Sequence, residues 1–272
     1  MNISENAAFE TPIEAAVLAR KALSSGMTGS LLSAAHNIYQ DIAVLMATPC
    51  TDAAGTCLSL PYKYLPHASS VSLDAVEDKA LLDALLAEIG RGSAGYFVRR
   101  MLGSDQVLCD LDQAWIRRQY APHLYPVKHA PHGWHQDGAL GFDFVTPGSA
   151  ELDPEALLPT VTCWIALTWC GVDAPGLEFV SQTVAALLLP EGLTHTTISS
   201  RFSADLFWKP QMQAGDAVVF SGATLHRTHV SQQMQRNRTS VELRFVAKHR
   251  IPQRLSGDCF VPLPQVDWEP NS

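Results

Sequence analysis

The stretch HGWHQDGAL, residues 132–140, sets His135 and Asp137 two positions apart. Where a chain is extended, residues i and i+2 project from one face, so an imidazole nitrogen and a carboxylate oxygen converge on one cation. Alone the triplet is a weak signal, because a chain with 10 histidines and 27 acids produces such pairs by chance. The second signal lies far downstream, in GDAVVFSGATLHRTH, where a Gly-Asp turn leads through an apolar run and a glycine to His226, with His229 three residues on. Those two histidines lie on opposite faces of an extended segment, so only one of them joins His135 and Asp137. Two imidazoles and one carboxylate on one face of a cation are the donor set of non-haem Fe(II) oxygenases, with the remaining positions open. Such an ion keeps a net positive charge and accepts an anionic chelating cosubstrate and then oxygen. Arg238, twelve residues after His226, opens the run RTSVELRF. From an adjacent strand its guanidinium can form a paired salt link with a distal carboxylate of that cosubstrate.

Strands must hold these residues. From about Trp115 onward AWIRRQYAP, TVTCWIALTWCGV, GLEFVSQTV, DAVVFSG and TSVELRFVAKH are short runs rich in β-branched and aromatic residues, bounded by Gly, Pro and Asp. The preceding part reads as helix. TPIEAAVLARKAL offers Thr11 as a cap with Pro12 at the first helical position and Glu14 three residues after the cap, and SLLSAAHNIYQDIAVLMA continues in that mode. SLDAVEDKALLDALLAEIGRGSAGYFVRRML is helical with a break near Gly90 to Gly92. Helices first and strands afterwards predict an α+β fold, a jelly roll with helices packed outside. We expect a single oxygenase domain over residues 1–272, with a mainly helical part over 1–105 and a jelly-roll core carrying the metal site over 110–250.

Composition narrows the partners. A net charge of -8 with 17% charged residues lacks the clustered Lys and Arg that phosphate binding needs, so no nucleic-acid partner is expected. The basic cluster Arg236, Arg238, Arg244, Lys248, His249 and Arg250, taken by itself, reads as a strand with solvated Arg on one face. No apolar run reaches the roughly 18 residues of a membrane span, and MNISENAAFETPIEAA has neither the basic nor the apolar region of a signal peptide. A cytoplasmic protein without a membrane partner is expected. Its six cysteines form no CxxC pair and read as buried free thiols.

Taken in order, GWHQDGAL, CWIALTWCGVDAPGLEFV, GDAVVFSGATLHRTH and NRTSVELRF resemble the motif blocks of the phytanoyl-CoA dioxygenase-like group of Fe(II)/2-oxoglutarate-dependent dioxygenases, over roughly Trp115 to Lys248. The resemblance implies a double-stranded β-helix, the cupin-like form of the jelly roll. It places the metal ligands on His135, Asp137 and His226 rather than His229, and the 2-oxoglutarate arginine on Arg238. It further implies Fe(II), 2-oxoglutarate and O2 as cofactor and cosubstrates, and hydroxylation of a C–H bond of a small-molecule metabolite with release of succinate and CO2. Desaturation or ring formation would use the same residues. An Asp at 137 favours hydroxylation, since halogenating relatives vacate that ligand.

The chain departs from the family pattern twice. Arg238 stands one residue further from the distal histidine than usual, which keeps Arg236 and Arg244 as alternatives, and Ser181, Gln182 and Thr183 replace a Pro-Gly-Ser-His turn after Val180. Arg117, Gln119 and Lys128 lie where the family often places polar residues near the cosubstrate or substrate, and His129 and His132 are candidates for substrate contact. Loops over 140–159 and 190–209 carry Phe142, Phe144, Phe202, Phe207 and Trp208 beside few charges, which points to a small, partly apolar molecule. Two other readings compete: a cupin-like metalloenzyme using the same metal without 2-oxoglutarate, and a non-enzymatic jelly-roll module whose histidines line a ligand pocket.

Overall fold

The computed structural model describes residues 9–13, 15–47, 62–126, 129–139, 159–184, 186–251 and 259–265. The construction follows from one strand, β6 (Thr160–Ala166). Its Val161, Cys163 and Ile165 are buried on one face and Thr162, Trp164 and Ala166 on the other, so both faces need a covering layer. Helices supply the first and a second sheet the other.

The large sheet has nine strands, in the order β1 (Phe9–Ile13), β2 (Ala16–Ala19), β9 (Ala217–Ser221), β6, β11 (Arg238–Ala247), β5 (Val107–Gln119), β4 (Ser70–Ser72) and β3 (Tyr64–Leu65), with β12 (Phe260–Pro262) also on β5. A small sheet follows the order β10 (His226–His229), β7 (Gly176–Val180) and β8 (Phe207–Trp208). Every named pairing is antiparallel.

On the outer face of the large sheet lie α1 (Ser25–Ala47), α2 (Lys79–Arg91) and α3 (Ser93–Leu102). Leu31, Ala35, Ile38 and Ile42 form the buried stripe of α1 at helical spacing, and they share one core with Leu85, Ile89, Phe97 and Val98 and with the sheet residues Ile165, Val219, Val241, Leu243 and Phe245. The break between α2 and α3 falls at Gly92, as the sequence predicts, and Asp78 caps α2 by accepting from the Leu81 amide. Between the sheets Trp164, Ala166, Leu177, Phe179, Val218 and Phe220 form a second core. A third core beside it contains Trp134, Val180, Phe202 and Leu225 together with Ile198 of α4 (His195–Arg201).

The jelly roll with external helices is therefore as predicted, but one helix is not. The segment expected to begin a helix at Thr11 is the hairpin of β1 and β2, and β2 extends the large sheet through its pairing with β9. In β2, Val17 and Ala19 face the helices while Ala16 and Leu18 face the inter-sheet core. A strand buried on both faces reads as an unbroken apolar run, which periodicity alone does not separate from a buried helix. Extended structure also precedes Trp115 in β3 and β4, within the part expected to be mainly helical, and from Val107 in β5. No helix of the described residues is long and apolar enough to cross a membrane. Cys109, Cys163 and Cys170 are free and buried, and Cys259 is free and half-buried. Lys128 and the loop 140–158 with Phe142 and Phe144 lie outside the described residues, as do Cys50 and Cys57.

Candidate metal centre

His135 and His226 face each other as an antiparallel bridge, the amide of each donating to the carbonyl of the other at 2.9 and 3.1 Å. Directly opposed residues project from the same side, so both imidazoles enter the space between the sheets. Asp137, two residues on, returns to that side. The chain is fixed there because the Gly138 amide donates to Gly222 O at 2.8 Å. A Cβ on Gly222 would stand 2.9 Å from Gly138 Cα, so this close approach requires glycine.

The donor atoms converge. His135 Nε2 lies 3.5 Å from Asp137 Oδ1 and His226 Nε2 lies 3.7 Å from Asp137 Oδ2, and one ligand atom from each of the three residues falls within 4.8 Å of the others. Each imidazole turns its Nδ1 to a backbone carbonyl, His135 to Gly133 O at 2.7 Å and His226 to Thr224 O at 3.0 Å. A carbonyl only accepts, so Nδ1 carries the proton and Nε2 presents its lone pair to the centre. Phe179 and Phe220 wall the His226 ring, with centroids 5.7 and 4.6 Å away.

Charge states suit a divalent cation. Burial, and next the neighbouring His226, push His135 down to about 3, which keeps it neutral. Burial opposes ionisation of Asp137, but Arg244 and then the two imidazoles outweigh it and hold the carboxyl below its usual range. Asp137 Oδ2 accepts from the Thr162 hydroxyl at 2.7 Å and Oδ1 from Arg244 Nη2 at 2.8 Å. Two imidazole nitrogens and one ionised carboxylate oxygen gathered around a common point fit Fe(II).

Next to this cluster is a cavity of about 140 Å³. His135, Asp137 and Arg244 form its polar side, and Leu187, Leu188 and Leu193 its apolar wall. Gln136 points the opposite way from its two neighbours and anchors that wall. Its Nε2 donates to Ala186 O and Ala223 O at 3.0 Å each and its Oε1 accepts from the Leu188 amide at 2.9 Å.

The arginines separate cleanly. Arg238, Ser240, Glu242 and Arg244 occupy the inward face of β11, opposite Val241, Leu243 and Phe245, so of the basic cluster expected to be solvated Arg238 and Arg244 turn into the fold while Arg236, Lys248, His249 and Arg250 are exposed. Arg238 is 2% exposed, its guanidinium 4.8 Å over the Trp164 ring and its Nη1 3.4 Å from Gly176 O. Its Nε has no partner among the described residues, and burial pushes its pKa down to about 10. Nearby, Gln119 Nε2 and His129 Nε2 lie 2.7 Å apart, and burial and then Arg238 push His129 down to about 4. Arg236 is on the surface with its Nε on Asp173 at 2.7 Å.

His229 points away from the centre, toward Glu178 at 4.0 Å. His132 stacks edge-on against His135 at 5.1 Å, 3.4 Å from Arg117 Nη1. The Thr168 hydroxyl accepts from the Thr239 amide at 3.0 Å and so ties the chain after β6 to β11. Sequence reasoning missed Gln136, Thr162 and Glu242. The signal for the last two was their place at even spacing on the inward faces, Thr162 with Trp164 and Glu242 with Arg238 and Arg244.

Residues 97–237, more than half of the 272, match the family model described as Phytanoyl-CoA dioxygenase (PhyH). Arg238 and the rest of β11 lie just past that match. No curated protein matches the chain. Among solved structures, EctD from S. alaskensis with bound Fe is similar at 15% identity and a TM-score of 0.60, over 92% of this chain and 80% of that one. A second EctD structure, with 2-oxoglutarate and 5-hydroxyectoine, matches at 14% identity and 0.57, over 92% and 80% of the two chains. The epimerase SnoN in complex with Fe3+, alpha ketoglutarate and nogalamycin RO is similar at 13% identity and 0.57, over 93% and 96%. At these identities the likeness establishes the fold.

Proposed function

The chain belongs to the phytanoyl-CoA dioxygenase family of non-haem Fe(II)/2-oxoglutarate-dependent oxygenases, and from that premise we propose that it hydroxylates a C–H bond of a small, partly apolar metabolite. The reading is carried by the convergence of His135 Nε2, His226 Nε2 and the Asp137 carboxylate, with both Nδ1 atoms turned away to carbonyls. These three residues hold Fe(II). Bound iron, with 2-oxoglutarate and O2, supplies the oxidation of the C–H bond as the cosubstrate becomes succinate and CO2.

The chain's own residues do the rest. Arg238 receives the distal carboxylate of 2-oxoglutarate, since a buried guanidinium without an ion pair among the described residues gains most from an anion in a low-dielectric site. Leu187, Leu188 and Leu193 exclude water from the metal side and hold the apolar part of the substrate. The small ligands that EctD and SnoN carry in their structures support a small-molecule substrate here. In this reading residues 1–272 act as one oxygenase domain, α1 to α3 sharing a core with the large sheet. It works in the cytoplasm, where the buried thiols Cys109, Cys163 and Cys170 stay reduced.

Anaerobic Fe(II) titration and succinate release test the reading in the wild type against His135→Ala, Asp137→Ala and His226→Ala. Each substitution is expected to abolish tight iron binding and turnover, and retention of both in all three sinks the assignment. Arg238→Ala is expected to raise the 2-oxoglutarate requirement about ten- to hundredfold with iron binding kept, the loss of a charge-assisted pair. Turnover undiminished without 2-oxoglutarate would make the protein a cupin-like metalloenzyme instead.

A further inference from the structure

Arg244 touches the proposed metal ligand from inside the fold. Its Nη2 donates to Asp137 Oδ1 and to Glu242 Oε1, each at 2.8 Å, while its Nη1 donates to Gln113 Oε1 at 2.6 Å. The other Glu242 oxygen pairs with Arg117 at 2.9 Å. Charges alternate along the line Arg117, Glu242, Arg244, Asp137, and no side chain in it is more than 14% exposed. The backbone is shaped for this line. The register of β11 against β5 shifts between Glu242 and Arg244, and Gln113 comes from the β5 residues that the shift leaves unpaired. Such irregularities re-aim side chains next to functional sites.

A carboxylate ligand that turns freely about its last bond can offer a metal one oxygen or both. With both, one coordination position fewer stays open. We propose that Arg244, backed by Glu242 and Gln113, is a positioning residue that occupies Asp137 Oδ1, so that the carboxylate meets the cation through Oδ2 alone. The role rests on Asp137 being a metal ligand. It calls for a planar fork, because one guanidinium end serves two carboxylates while the other is held by Gln113. Lysine keeps the charge but not that geometry. Arg244 is thereby taken out of competition with Arg238 for the cosubstrate.

Cobalt(II) binding to the full-length protein tests this, with its visible ligand-field spectrum as a readout of coordination and the 2-oxoglutarate requirement measured at saturating Fe(II). Arg244→Lys is expected to bind cobalt about tenfold more weakly and Arg244→Gln up to about a hundredfold more weakly, the range seen when partners of metal ligands are removed. Both spectra shift, and the 2-oxoglutarate requirement stays as in the wild type. Adding Arg244→Lys to Asp137→Ala has no further effect on cobalt affinity, because the arginine acts through the aspartate. Should Arg244→Gln fail to fold, Arg244→Lys alone carries the test. Wild-type affinity and spectrum in Arg244→Lys overturn the role. A raised 2-oxoglutarate requirement with metal binding intact also overturns it and assigns Arg244 to the cosubstrate. If Asp137→Ala binds cobalt like the wild type, the ligand reading itself is what fails.

Discussion

The two ends of the inward face of β11 carry the same residue type in opposite circumstances. Arg244 has both terminal nitrogens engaged, by Asp137, Glu242 and Gln113, and only its Nε lacks a partner among the described residues. Arg238 has a carbonyl at 3.4 Å and the face of Trp164, and among the described residues no carboxylate pairs with it. Arg238 is the more deeply buried of the two and has the fewer partners. The contrast teaches that a buried charge ion-paired within the protein serves the scaffold, whereas one without an ion pair is suited to take an anion, the role proposed for Arg238.

Stability is where that contrast breaks first. Arg244→Met leaves Asp137 a buried carboxylate without its cation while Glu242 keeps only Arg117, and denaturant unfolding of the metal-free protein is expected to show a loss of about 3–5 kcal/mol. Arg238→Met removes a charge with little to compensate it, so the same measurement is expected to show stability unchanged or raised. Equal losses in the two variants would dissolve the distinction.

Acid sharpens it next. Burial, then a nearby arginine, pushes His129 down to about 4 and His132 to about 2, and burial with His226 pushes His135 to about 3. All three lie below the ordinary value of 6.5, so the unfolded chain takes up protons first and stability falls as pH drops below 6.5 toward those values. The thermal midpoint of the metal-free protein is expected to decline steadily between pH 7 and pH 4. In Arg238→Met the decline is expected to be shallower, because His129 loses the cation beside it. A flat profile in the wild type would show that these imidazoles reach water.

The smallest expected effect is at Thr162. Thr162→Val removes one hydrogen bond to Asp137 Oδ2 in a side chain of similar size, at about 1 kcal/mol. Metal titration should register a loss of severalfold, well below that of Arg244→Gln. A larger loss would make Thr162, and not Arg244, the main support of the carboxylate.

How much of this was legible in the sequence depended on distance along the chain. The spacing of His135 and Asp137 and the opposite faces of His226 and His229 follow from strand geometry, and they came out as read. The break at Gly92 did as well. Residues of β11 were legible as an alternation but not as to which way the polar face looks, because R-S-E-R at even spacing is the same pattern toward water or toward a sealed interior. Only the small sheet, folded over it, decides. Likewise Ala16 to Ala19 turned from helix to strand because β9, nearly two hundred residues on, covers their edge. The tie of Arg244 to Asp137 spans 107 residues and a register shift, neither of which has a local signature.

Gln136 carries a final consequence. Three consecutive residues divide between two tasks: the odd ones, His135 and Asp137, aim at the proposed cation site, and the even one, Gln136, fastens the chain segment bearing Leu187 and Leu188. The cation and the leucine wall thus share one reference frame, set by a single turn of backbone. Substrate range can be reshaped by exchanging the tips of Leu187, Leu188 and Leu193 while the frame stands. Exchanging Gln136 would move the wall relative to the cation, and with it the carbon atom that the oxidant meets.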